Sequence, residues 1–108
     1  MNKIAVIFSI LALGFSLQAQ AKSGNAEAGK AKSTPCAACH GETGVSAMPS
    51  FPNLAGQYRD YLYHALKDYQ SGKRKNAIMA GQVQNLSDQD MADLAAYFAQ
   101  QEGLSIKY

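Results

Sequence analysis

The chain has 108 residues, 47% of them hydrophobic and 17% charged, with a formal net charge of +2. That length suits one domain rather than two, and so balanced a charge leaves no electrostatic footprint for a nucleic acid. A domain this small buries a limited share of its surface, so a disulfide, metal or cofactor is expected as a staple.

The first segment, residues 1–21, reads as a cleaved secretory signal, leaving residues 22–108 as the mature domain. Lys3 supplies a positive start, Ile4 to Leu17 is almost wholly apolar, and Ala19-Gln20-Ala21 is a small-x-small cleavage site. The apolar run falls short of the roughly 20 residues a membrane-spanning helix needs. No cysteine follows the cut to take a lipid. The expectation is a periplasmic protein with no stable membrane insertion.

Asn25 then offers a helix cap, and the helix it opens runs over Ala26 to Lys32 with Glu27 in its first turn. Gly29 on that helix invites a close crossing by another helix. Pro35 either ends this helix or separates it from a short turn carrying the next motif.

That motif is Cys36-Ala37-Ala38-Cys39-His40, which holds both cysteines of the chain and one of its two histidines. Cys-x-x-Cys-His is the haem-attachment signature. Residues i and i+3 of a helical turn share a face, so two sulfurs at that spacing can form thioethers along one edge of a porphyrin. The next residue is carried under the ring, where its imidazole reaches the iron. Three other readings compete. A thioredoxin-like dithiol needs a strand-rich setting, and no alternating or β-branched run is visible. A structural zinc site needs a fourth ligand, and His64 alone remains to supply it. A plain disulfide would leave His40 incidental.

From Gly41 to Gln57, three glycines and two prolines argue for a long irregular loop, with Val45, Phe51 and Leu54 as apolar matter to bury. Wrapping a cofactor accounts for such a loop. A helix follows from Tyr58 to Ser71, ended by Gly72. Its stripe of Tyr58, Tyr61, Leu62, Ala65, Leu66 and Tyr69 is read first as core. His64 lies off the stripe and is read as exposed. Lys73-Arg74-Lys75 is either a solvated turn or a docking patch for an acidic partner. A short helix is placed near Ile78 to Gln84. The last begins at Ser87, with Asp88 and Asp90 in its first turn, and runs to about Glu102 with Met91, Leu94, Ala95 and Phe98 on one face. The fold class is all-α: three main helices and a short one, with loops around a flat cofactor.

Over residues 24–102 the chain resembles the class I c-type cytochromes, in particular one half of the small tandem dihaem bacterial proteins. The resemblance rests on Gly-Asn-Ala-Glu-Ala-Gly-Lys-Ala from Gly24, on Cys-Ala-Ala-Cys-His-Gly-Glu-Thr-Gly from Cys36, and on Phe-Pro-Asn-Leu-Ala-Gly-Gln from Phe51. Leu-Ser-Asp-Gln-Asp-Met-Ala-Asp-Leu-Ala-Ala-Tyr-Phe from Leu86 completes it. It implies a cytochrome c-like fold and one covalent haem c attached at Cys36 and Cys39. It also implies a proximal iron ligand at His40 and a distal methionine. Met79 stands where the family places that ligand, Met48 falls in the proximal loop, and Met91 sits on an apolar helix face. Pro52 matches the family proline whose carbonyl accepts a hydrogen bond from the proximal imidazole; simple loop stiffening is its alternative.

The function implied is one-electron transport, without catalysis on a substrate. Its partners would be redox donors and acceptors such as membrane respiratory complexes or periplasmic reductases and oxidases. Two other readings keep the haem: a haem subunit of a redox enzyme complex, and a ligand-binding haem protein with a displaceable sixth ligand.

Overall fold

A computed structural model describes residues 23–103. The signal-peptide reading of residues 1–21 lies outside these described residues. Five helices follow in chain order: α1 (Ala26–Lys32), α2 (Thr34–His40), α3 (Arg59–Ser71), α4 (Ala77–Val83) and α5 (Asp88–Ala99). No strand occurs among the described residues. Among them, too, no helix is long and apolar enough to cross a membrane.

The expected helices appear, and α2 is an addition. Pro35 opens a helix here instead of ending one. It sits in the first turn of α2, where a helix has no use for the N–H that proline lacks and gains from its preset φ. Gly41, at φ 85°, closes α2 and donates its N–H to the Ala37 carbonyl at 2.9 Å. The motif therefore lies within a seven-residue helix and not on an isolated turn.

α5 is the central element, packed against α1 on one side and α3 on the other. Its start is fixed by a reciprocal cap: Ser87 Oγ accepts from the Asp90 N–H and Asp90 Oδ2 from the Ser87 N–H, both at 3.0 Å. It ends at Ala99, about a turn earlier than its apolar pattern suggested. Leu94, Ala95, Tyr97 and Phe98 form the core with Leu62 of α3. Each large apolar side chain so enclosed contributes roughly 1.5–3 kcal/mol.

The crossing of α1 over α5 is as close as Gly29 suggested. A Cβ on Gly29 would lie 2.0 Å from the Asp93 carbonyl oxygen, so only hydrogen fits there. Polar bonds lock the same crossing. Buried Asp93 accepts from the Asn25 N–H at 2.8 Å, from Lys32 Nζ at 2.6 Å and from Gln89 Nε2 at 2.8 Å. These donors hold its carboxyl down at about 2, the Lys32 bond contributing most.

The segment from Gly41 to Gln57 is a loop of turns, as its glycines and prolines require, yet it is firmly tied. The Gly44 carbonyl accepts from the N–H groups of Leu54 (2.7 Å) and Ala55 (3.1 Å), and Gly56 N–H donates to the Phe98 carbonyl (3.1 Å). Gly44 needs φ +82°, and a Cβ there would meet Ala55 N at 2.8 Å. Val45, expected to be buried, remains about half exposed.

Candidate functional site

The stripe of α3 divides: Leu62 belongs to the core, with Leu66 packed against it, whereas its tyrosines do not. Tyr58 and Tyr61 are exposed, and Tyr61, Leu62, Ala65, Leu66 and Tyr69 form one wall of a cavity of about 530 Å³. Periodicity identified the apolar face of α3 correctly. It could not tell that much of this face meets a cavity instead of another helix. A volume of that order suits a drug-sized or cofactor-sized molecule.

Each remaining wall comes from a different element. α2 contributes Cys36, Cys39 and His40, and α5 contributes Leu94, Ala95 and Phe98. The tied loop adds Phe51, Pro52 and Leu54, and α4 adds Ile78, Met79, Gln82 and Val83. Cys36 and Cys39 are half-buried thiols, not a disulfide. Burial pushes the Cys36 thiol up.

His40 is 7% exposed, and its Nδ1 lies 2.8 Å from the Pro52 carbonyl oxygen. A carbonyl only accepts, so the hydrogen of that bond sits on Nδ1. Neutral imidazole then carries its lone pair on Nε2, the nitrogen free to bind a metal. Through that bond the Pro52 carbonyl selects the tautomer.

The three candidate methionines separate cleanly. Met48 is 57% exposed in the loop and does not line the cavity. Met91 is fully buried on α5, also away from the cavity. Met79 is half-buried and lines it, together with Cys36, Cys39 and His40. His64 is exposed, with its ring edge against Tyr63, and lies off the cavity. Among the described residues, no cluster of three or more His, Cys, Asp or Glu side chains is arranged to hold a metal ion. Cys36, Cys39 and His40 thus gain no fourth partner for zinc.

The basic triplet divides. Lys73 and Lys75 face solvent away from the cavity, whereas Arg74 lines it. Its Nη1 donates to the Tyr61 hydroxyl at 3.3 Å, and its guanidinium lies 4.9 Å from the Tyr69 ring centroid. Arg74 is the one permanently charged residue on an otherwise largely apolar wall. Sequence reading missed this separation, because three adjacent cations give no local sign of which one borders a cavity. It also missed Asn76, whose Oδ1 accepts from the Met79 N–H at 3.0 Å. There a signal existed: an asparagine three residues before a helical N–H is a capping pattern.

Residues 26–102 match the cytochrome c family. Cytochrome c4 of Pseudomonas aeruginosa is 50% identical over 102 residues, covering 94% of this chain and 50% of that protein. Cytochrome c-554(548) of Halomonas halodenitrificans is 46% identical over 83 residues, covering 74% of this chain and 100% of that one. The crystal structure of reduced recombinant cytochrome c4 from Pseudomonas stutzeri superposes with a TM-score of 0.73 at 45% identity, over 76% of this chain and 48% of that one. The chain thus spans about half the length of the cytochrome c4 relatives it matches.

Proposed function

The chain belongs to the cytochrome c family, with haem c and its iron as the covalent cofactor, and from that premise we propose that it is a one-electron carrier ligated by His40 and Met79. The observation that supports this best is the convergence of Cys36, Cys39, His40 and Met79 on one apolar cavity. The residues present fit the group. Two sulfurs share a helix face, an imidazole has its tautomer set for metal binding, and a thioether stands among aliphatic and aromatic walls. Arg74 and Tyr61 offer a cation and a hydroxyl for the haem carboxylates.

When bound, the iron supplies a ferric/ferrous couple that gains or loses one electron. The protein's part is to choose the potential and protect the couple. The Met79 thioether is a soft donor that favours the reduced metal, and the apolar walls disfavour the extra charge of the oxidised one, so both raise the potential. The Pro52 carbonyl works in the other direction, making the His40 imidazole more electron-rich. With His40 and Met79 both holding the iron, dioxygen and peroxide would find no open position. This suits a carrier without catalysis on a substrate, and it separates this reading from a ligand-binding haem protein.

A redox partner would approach the cavity mouth at Cys36 and Cys39. Exposed Lys73 and Lys75 would orient an acidic docking surface. The proposed setting is the periplasm, with donors and acceptors among respiratory complexes or periplasmic reductases and oxidases.

The test is an optical spectrum of purified protein with a Met79→Ala control. The ferric methionine–iron charge-transfer band is expected in the wild type and lost in the variant. Ferrous wild-type protein should resist carbon monoxide while the variant binds it. Wild-type protein that binds carbon monoxide readily overturns the carrier reading.

A further inference from the structure

The sixth-ligand segment is poorly held by packing. α4 has seven residues, and Val83 at its end is the only buried one; Ile78 is 62% exposed and Met79 only half-buried. Its packing partner is α3. A helix of two turns does not persist in water by its own ladder, so something else must keep Met79 at the cavity.

Two side-chain amides do this, one at each end. At the start, Asn76 has the extended backbone of an N-cap, and its Oδ1 accepts from the Met79 N–H at 3.0 Å. That N–H is one of the donors a helix leaves without a partner in its first turn. Asn76 also lines the cavity, so the cap and the ligand sit side by side at its edge. At the other end, Gln70 reaches across from α3. Its Nε2 donates to the carbonyls of Val83 (2.9 Å), the last residue of α4, and of Leu86 (2.7 Å), in the turn that follows; the Val83 carbonyl also accepts from the Leu86 N–H at 3.1 Å.

We propose that Asn76 and Gln70 are positioning residues that suspend α4 between them and set how readily Met79 yields the sixth position to an outside ligand. The inference rests on Met79 being the axial donor. Opening of α4 is a local event, separate from unfolding of the α1–α3–α5 core. An outside ligand binds only the opened form, so its apparent affinity scales with the fraction open. Removing a helix N-cap raises that fraction by roughly three- to thirty-fold. Removing the Gln70 amide, with its two bonds, acts on the same order.

The experiment is a titration of haem-loaded ferric protein with imidazole, following the charge-transfer band, alongside denaturant unfolding followed by helix content. Asn76→Ala and Gln70→Ala should each bind imidazole roughly three- to thirty-fold more tightly than wild type. Asn76→Ser, which restores an oxygen acceptor at the cap, should return close to wild type. A merely structural role would move the unfolding midpoint and leave imidazole affinity unchanged. Both alanine variants titrating like wild type, while Met79→Ala binds imidazole much more tightly, would overturn the suspension and leave the ligand assignment standing. Met79→Ala titrating like wild type would remove the ligand assignment, and the suspension with it.

Discussion

The two walls proposed to grip the iron are built in opposite ways. On the His40 side, the ligand is buried at the end of a helix that Gly41 closes, and held by the carbonyl of a loop that is itself bonded back to α5. On the Met79 side, the ligand rides an exposed two-turn helix whose ends hang on two amides. The first wall is continuous with the core of the fold. The second is an attachment to it. With His40 and Met79 as ligands, a firmly held proximal side and a lightly held distal one would let the sixth position respond to its surroundings without disturbing the fold.

That contrast can be broken or sharpened by experiment. The largest effect is expected from His40→Ala, which removes the anchor. Haem content, measured as the haemochrome of purified protein, should fall sharply, and any haem retained should lose the low-spin spectrum of the wild type. Next comes Gly44→Ala, which strains a φ of +82° and drives a Cβ into Ala55 N at 2.8 Å. It should destabilise the protein by about 1–3 kcal/mol in denaturant unfolding, because it disturbs the loop that holds Pro52. Met79→Leu keeps the volume of the distal wall, and its cost to stability should stay below about 1.5 kcal/mol. Its reduction potential should fall, and the ferrous form should bind carbon monoxide. A Met79→Leu protein as destabilised as Gly44→Ala would abolish the distinction between the two walls.

Acid should affect neither wall first, but the α1–α5 crossing. The Asp93 carboxyl lies at about 2 in the folded protein against an ordinary 3.8. Its stabilisation is therefore complete above about pH 4 and is lost as pH falls toward 2. Asp93→Asn should be less stable at neutral pH and should flatten the stability profile between pH 4 and 2 in thermal melts. The smallest effect is reserved for the surface. Neutralising Lys73 and Lys75 should slow electron transfer to an acidic partner by a few-fold at low ionic strength and not at high salt. Rates unchanged at low salt would remove their docking role.

The Cys-x-x-Cys-His spacing was sufficient by itself to place two sulfurs on one helix face, since i and i+3 adjacency is a property of the backbone alone. Asn25 and Ser87 likewise marked their helices, because a cap acts within three residues. Gly29 announced a close crossing but not its partner. What only the tertiary structure decided is where long-range neighbours meet. It set Met79 on the cavity with His40, and left Met48 and Met91 away from it. It turned Tyr61 and Tyr69 toward the cavity, and put Arg74 on its border between two lysines that lie off it. Sequence periodicity states which way a side chain points from its own helix. Whether that direction ends in core, cavity or water depends on segments far along the chain, which local spacing does not encode.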